Sequence, residues 1–279
     1  MKLLKNFSNL LRVKDWSKNI LIFLPLIFSG NLNSQFFYFD LFSIFILFCL
    51  SSSFIYIIND LIDIKDDKKH PIKILKKPLA SGHVSLITSY FTLLVLFIFI
   101  SILILNYQSI FLHITIYIFL NFIYSIFLKK IPILDVLLIS FGYIIRLDSG
   151  SEIILVDTSI FLASSIYFLA CFIIFIKRYT EYKNNHNIRS SLVFYSEIKF
   201  KFLISISSIL FFLTLCLFIY FKNLELIIIT PFLIYVLIRY YKSSIKYLLG
   251  EFPFDLIIKD RYLLLYCLLI VSYILYIYY

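Results

Sequence analysis

Long apolar stretches separated by short polar ones recur along the whole chain, and nine of them approach the length of a membrane crossing. They run from Asn19 to Asn33, Phe39 to Asn59, Val84 to Leu105, Ile110 to Leu128, Ile133 to Arg146, Thr158 to Ile176, Phe202 to Tyr220, Leu226 to Arg239 and Tyr262 to Tyr279. A helix of roughly 17 to 25 apolar residues crosses a hydrocarbon core about 30 Å thick while satisfying its own backbone hydrogen bonds. The pattern predicts an all-α integral membrane protein with nine transmembrane helices, the first and fifth short. The basic, weakly amphipathic MKLLKNFSNLLRVKDWSKN reads as an interfacial helix leading into the first span, without a convincing signal-peptide cleavage site.

Charge supports the alternation of these spans. With a cytoplasmic N-terminus, 24 of the 26 lysines and arginines fall in inner segments; Lys222 faces out and Arg146 lies within a span. Basic residues accumulate on the cytoplasmic side near span ends, and an even number of spans would break the pattern. The two longest polar stretches, Asn59–Ser85 and Lys177–Lys201, are both inner loops, so residues 1–279 read as one helical domain.

Composition narrows the function classes. With 62% hydrophobic and 15% charged residues, a soluble domain is excluded. The net charge of +10 follows from orientation, with added attraction to anionic lipid or phosphorylated substrate, and no nucleic-acid-binding module is present. The four cysteines fall far apart within apolar spans, and the four histidines have no metal-ligand spacing, which argues against disulfides and zinc.

The main chemical signal is IYIINDLIDIKDDKKHPIKILKKPLASG, residues 55–82. Asp60, Asp63 and Asp67 are three and four residues apart, which stacks their carboxylates along one helical face, with Asn59 at the same boundary. Crowded carboxylates repel unless a cation joins them, and oxygen donors suit Mg2+, which commonly bridges to substrate phosphates. The alternative is a solvated loop whose aspartates balance neighbouring lysines. Asp66 falls on another face and reads as solvent-exposed.

Asn59, Asp60, Asp63 and Asp67 match the NDxxDxxxD pattern of the UbiA-type intramembrane prenyltransferase superfamily, and KKPLASG resembles its RPL-x-SG continuation. The resemblance implies nine transmembrane helices around a central cavity, with magnesium and a diphosphate bound on the cytoplasmic side. Aromatic-prenylating members carry a second DxxxD motif. Here KRYTEY stands instead, with Lys177, Arg178 and Glu181. Two cations suit an anionic second substrate, although for either one the spacing alone favours ordinary positive-inside anchoring. Arg146, inside a span in GYIIRLDSG, needs a partner or a wet cavity, and Asp148 is the competing structural partner.

Several stretches are similar to the decaprenyl-phosphate phosphoribosyltransferase (5-phosphoribosyl-1-diphosphate-using) branch of that superfamily. LRVKDWSKNILIFLPLIFSG resembles its opening, with Trp16, Lys18 and Asn19 in place. YSIFLKKIPILDVLLISFGYIIRLDSG resembles its middle motif through Tyr124, Ser125, Lys129, Asp135, Arg146 and Gly150. FIIFIKRYTEY resembles its KRxxEL segment, and FPFDLIIKDRYLLLY its final stretch. Lys77, Asp148 and Tyr262 depart from the branch pattern, which weakens any assignment of the lipid.

The resemblance implies a Mg2+-dependent transfer of 5-phosphoribosyl from 5-phosphoribosyl 1-diphosphate to a polyprenyl phosphate, for a cell-envelope glycan precursor, in a bacterial inner (cytoplasmic) membrane. Asp60, Asp63 and Asp67, aided by Asn59, would hold the metal, and Lys73 and Lys77 would meet the donor's phosphates. Lys129, Arg146, Lys177 and Arg178 would hold the acceptor phosphate or the donor's 5-phosphate. Tyr124 would hydrogen-bond a phosphate oxygen, Glu181 would orient Arg178 or join the metal or ribose contacts, and Asp135 could partner Lys129. The rival readings are an aromatic prenyltransferase and, in another class, a transporter or lipid-binding scaffold. Homo-oligomerisation is left open.

Overall fold

The computed structural model of the protein describes residues 2–30, 32, 36–69, 74, 77–184, 190–247, 250 and 253–279. Among these residues twelve α-helices follow one another: α1 (Lys2–Leu10), α2 (Leu24–Phe28), α3 (Phe36–Ile62), α4 (Ile64–Lys69), α5 (Leu86–Asn106), α6 (Phe111–Ile126), α7 (Leu134–Ile153), α8 (Ile160–Lys183), α9 (Glu197–Lys222), α10 (Thr230–Tyr247), α11 (Pro253–Lys259) and α12 (Arg261–Tyr278). Among the described residues there is no strand.

Short polar side chains set where the long helices begin. The hydroxyls of Ser85, Ser159 and Ser196 accept from the backbone N–H of Thr88, Leu162 and Lys199, capping α5, α8 and α9, and the Asp260 carboxylate caps α12. Inside the spans, hydroxyls return their proton to the preceding turn, as Ser52 does to the Phe48 carbonyl and Ser207 to the Leu203 carbonyl. A serine bonded in this way sits in an apolar helix with its donor satisfied.

Among the described residues seven helical segments are long and apolar enough to cross a membrane: Phe36–Ile62, Leu86–Asn106, Gln108–Ile126, Ile160–Lys183, Glu197–Lys222, Leu224–Tyr247 and Arg261–Tyr278. The protein is a multi-pass membrane protein. The other two expected spans take a different form. Asn19 to Asn33 is not one α-helix; a 3-10 segment, Val13–Phe23, runs into the five-residue α2, where Pro25 occupies the first turn and so forfeits no helical hydrogen bond. The fifth becomes α7, longer than expected, but Asp135, Arg146, Asp148 and Glu152 leave it too charged to count by composition.

The chain divides into two compact units. The first comprises Met1–Leu26, Ser34–Lys129 and Ile145–Asp157; the second comprises Ile27–Asn33, Lys130–Ile144 and Thr158–Tyr279. In the first, α3 is the buried centre, carrying Leu41, Ile44, Leu47 and Phe48 inward, while α5 turns Phe91, Leu94, Phe97 and Ile98 outward. Such exposed apolar faces suit lipid, which solvates them as well as other protein does. Gly150 lies against the 3-10 segment so closely that a Cβ would stand 2.0 Å from the Ile22 carbonyl oxygen. In the second unit α8 is the centre, lined with Phe172, Ile174, Phe175 and Ile176, and packs along α9.

Candidate active site

Two of the three predicted carboxylates belong to helices that almost join. Asp60 closes α3 and Asp67 lies in α4, while Asp63 sits between them with its N–H bonded to the Asn59 carbonyl and its own carbonyl accepting from Asp67. Helical geometry thus continues through the joint. Asp60 and Asp67 are each 2% exposed, Asp63 and Asn59 are half-buried, and Asp66 is exposed as expected.

Every carboxylate of this face meets a cation. Lys77 Nζ lies 2.8 Å from Asp60 Oδ1 and 2.5 Å from Asp67 Oδ2, so the two acids converge on one ammonium. Arg12 Nη2 donates to the same Asp60 oxygen at 2.6 Å, and Lys129 Nζ donates to Asp63 Oδ1 at 2.5 Å. Burial opposes the charge of the Arg12 guanidinium, but the carboxylate of Asp60, with Tyr56 and Asp15, raises its pKa above the ordinary arginine value. Opposite charges at such distances offset the desolvation that burial imposes on a carboxylate.

Arg12 reaches the site because the backbone turns there. It adopts a left-handed φ of 49° at the start of the 3-10 segment, and the turn is fastened to α3 by Ser53, whose hydroxyl donates to the Leu11 carbonyl and accepts from Trp16 Nε1. The guanidinium also stacks 4.6 Å from the centre of the Tyr56 ring.

A second polar group in the same unit centres on Arg146, 5% exposed. Its Nε donates to Asn19 Oδ1 at 2.6 Å and its Nη2 to the Tyr117 hydroxyl at 2.9 Å, with the guanidinium 4.8 Å from the Tyr117 ring centre. Asn19 is anchored in turn on Cys49 Sγ, and the Tyr117 hydroxyl on Ser52. Asp148, the competing partner, pairs with His113 at 3.1 Å.

In the other unit Arg178 is 2% exposed, with Nε donating to Asp135 Oδ2 at 2.9 Å and Nη1 to both oxygens of Glu181 at 2.8 and 3.1 Å. Asp135 is therefore a partner of Arg178, which corrects its pairing with Lys129. The carboxylate is presented from the first turn of α7, and that turn is held by the Tyr195 hydroxyl, which accepts from the N–H of Ile133 at a φ of 65°. Lys177 and Tyr124 are half-buried, on α8 and α6. Lys73 lies outside the described residues.

The profile of the UbiA prenyltransferase family matches residues 22–247. The chain belongs to this family. Among curated relatives it is similar to the decaprenyl-phosphate phosphoribosyltransferase of Corynebacterium glutamicum, 29% identical over 201 residues covering 69% of this chain and 60% of that protein. It is likewise similar to that of Mycolicibacterium smegmatis, 28% identical over 207 residues, 71% of this chain and 64% of that protein. The match thus spans less than two thirds of either relative. Its fold is similar to that of a UbiA homolog from Archaeoglobus fulgidus solved with DMAPP and Mg2+, at a TM-score of 0.66 and 18% identity over 96% of this chain and 99% of that one. A digeranylgeranylglyceryl phosphate synthase structure aligns at a TM-score of 0.63 and 20% identity, over 99% of both chains.

The archaeal homolog was solved with Mg2+, and the side chains of this chain can be tested for their fit to such an ion. Among the described residues no three His, Cys, Asp or Glu side chains stand together as a ligand group. The carboxylates are turned instead to Arg12, Lys77 and Lys129. The chemistry still fits a hard cation, because Asp60 and Asp67 already aim oxygens at one positive centre, the Lys77 ammonium. Arg12 and Tyr117 are not marked as site residues by the sequence alone. Arg12 stands within the LRVKDWSKN stretch whose Trp16 and Lys18 were singled out; Tyr117 carried no signal among 22 tyrosines.

Proposed function

We propose that the protein transfers 5-phosphoribosyl from 5-phosphoribosyl 1-diphosphate to a polyprenyl phosphate, releasing diphosphate. One observation carries this reading: Asp60, Asp63 and Asp67 are matched by Arg12, Lys77 and Lys129, a set of opposite charges that close on one another. A magnesium diphosphate inserted among them would give each group a new partner of opposite sign, the carboxylates turning to the metal and the cations to phosphate oxygens. The likeness to proteins named decaprenyl-phosphate phosphoribosyltransferase favours this donor.

Asp60 and Asp67, joined by Asp63 and Asn59, are the residues that would hold Mg2+. When bound, the metal supplies positive charge to the departing diphosphate. Arg12, Lys77, Lys129 and Lys73 complement that charge from the protein side, where they matter most as the bond from the anomeric carbon to the diphosphate oxygen lengthens. An oxygen of the acceptor phosphate forms the new bond to that carbon. Being already anionic, it requires no general base. Arg146 and Arg178, with Lys177 and Tyr124, are the candidates for holding the acceptor phosphate or the donor's 5-phosphate. Glu181 and Asp135 orient Arg178.

We read the chain as one domain with nine spans, the seven plus the Val13–Phe28 segment and α7, with its N-terminus on the cytoplasmic side of a bacterial inner membrane. The distribution of basic residues supports this orientation.

Purified protein in detergent, given labelled phosphoribosyl diphosphate and polyprenyl phosphate with and without Mg2+, tests the reading. A lipid-extractable phosphoribosyl product that requires Mg2+ and is lost in Asp60→Ala, with the helical signal unchanged, is expected. Prenylation of an aromatic acid instead, or full activity in Asp60→Ala, would overturn it.

A further inference from the structure

The last turns of α10 carry Tyr235, Arg239, Lys242 and Lys246, spaced four, three and four residues apart and therefore on one face. They line a cavity of about 260 Å³ together with Ser243, Tyr247 and Asp260. This cavity lies wholly within the second unit, and none of its residues belongs to the site described above.

Arg239 is fixed within it. Its Nε donates to both oxygens of Asp260 at 2.9 and 3.0 Å, its Nη1 donates to the Tyr235 hydroxyl at 3.1 Å, and its guanidinium lies 4.5 Å from the Tyr262 ring centre. Asp260 is itself occupied, accepting from the Ser243 hydroxyl at 2.6 Å and from the N–H groups of Tyr262 and Leu263. The cavity lining thus holds one carboxylate and three cations. Among the described residues no carboxylate pairs with Lys242 or Lys246, both of which are exposed. An anion is the missing complement.

What kind of anion follows from the surface below. Ile238, itself part of the cavity lining, and Ile234 one turn further along α10 are both exposed, as is Leu265 on α12, and the two helices touch through Tyr235 and Tyr266 at 4.4 Å between ring centres. The site is basic at the helix end and apolar along the helix, the distribution of an amphiphile. Basic pockets between membrane helices recognise anionic headgroups in this way. We propose that Arg239, Lys242 and Lys246 bind the phosphate headgroup of an anionic membrane lipid whose acyl chain lies along Ile234, Ile238 and Leu265. This site is independent of the transfer reaction proposed above.

Native mass spectrometry of the full chain in a maltoside detergent tests it, with phosphatidylglycerol, phosphatidylcholine of the same acyl chains, and inorganic phosphate as separate probes. Phosphatidylglycerol should be retained in preference to phosphatidylcholine, and K242A/K246A should weaken it about thirtyfold while leaving phosphatidylcholine unchanged. K242R/K246R should restore the preference. Equal retention of the two lipids, or an unaltered preference in K242A/K246A, would overturn the proposal. So would inorganic phosphate binding as tightly as phosphatidylglycerol, since the ligand would then be a free anion. If K242A/K246A does not fold, Lys242→Gln alone should lose about fivefold, and no loss there refutes the site.

Discussion

Arg12 Nη2 donates to Asp60 Oδ1 at 2.6 Å, joining residues 48 positions apart in the chain. The contact closes a set of charges in which the Lys77 ammonium also touches Asp60. On the reading above, Arg12 exchanges Asp60 for a diphosphate oxygen when the donor binds. Arg12→Ala should then raise the KM for phosphoribosyl diphosphate about tenfold, the equivalent of ~1.5 kcal/mol for a charge-assisted hydrogen bond. Arg12→Lys should recover part of the loss. Steady-state kinetics at saturating acceptor decide the matter, and an unchanged KM would leave Arg12 a structural partner of Asp60.

Buried Arg178 depends on two acids from different helices. Asp135→Ala removes one and leaves the guanidinium with Glu181, a change expected to destabilise the protein by about 3 kcal/mol. Asp135→Ala combined with Arg178→Met should lose less than the sum of the two single changes, because no charge is stranded. Thermal unfolding in detergent reads both, and strict additivity would show that the pair is uncoupled.

Gly150 tolerates no side chain. A Cβ there would meet the Ile22 carbonyl oxygen at 2.0 Å, and the obstruction is backbone rather than a movable side-chain end. Gly150→Ala should lower stability by roughly 1 to 3 kcal/mol through overpacking. Gly30→Ala, where the added Cβ has open space but φ is +76°, should act only through the backbone. The comparison of melting temperatures separates clash from conformational strain.

Asp260 links stability to pH. Burial pushes its pKa up, but the Ser243 hydroxyl, the Arg239 guanidinium and the Leu263 N–H outweigh it and hold the carboxyl below the ordinary value of 3.8. The unfolded chain therefore binds this proton first, so the contribution to stability is full above that value and fades as pH falls through the folded-state pKa. Wild type and Asp260→Asn should differ in melting temperature at neutral pH and converge in strong acid. A difference that persists unchanged to low pH would assign the effect to something other than this charge.

Hydropathy and periodicity carried much of the architecture. Seven apolar stretches became long membrane helices because an apolar segment in lipid has few alternatives to the helix, whatever its neighbours. The same local logic put Asp60, Asp63 and Asp67 on one face, since three- and four-residue spacing depends only on helical pitch. Asp66 fell outside that face for the same reason. The two stretches that departed are the one whose opening residues are wound as part of the 3-10 segment Val13–Phe23 and the one whose helix, α7, carries four charges.

Tertiary packing alone chose the partners. Lys129 goes to Asp63 and Asp135 to Arg178, and Arg146 is held by Asn19 and Tyr117, contacts spanning from 29 to 127 residues of chain. Charge attracts without direction, so a list of acids and bases is compatible with many pairings. Only the fold, by fixing which side chains share one low-dielectric space, selects among them.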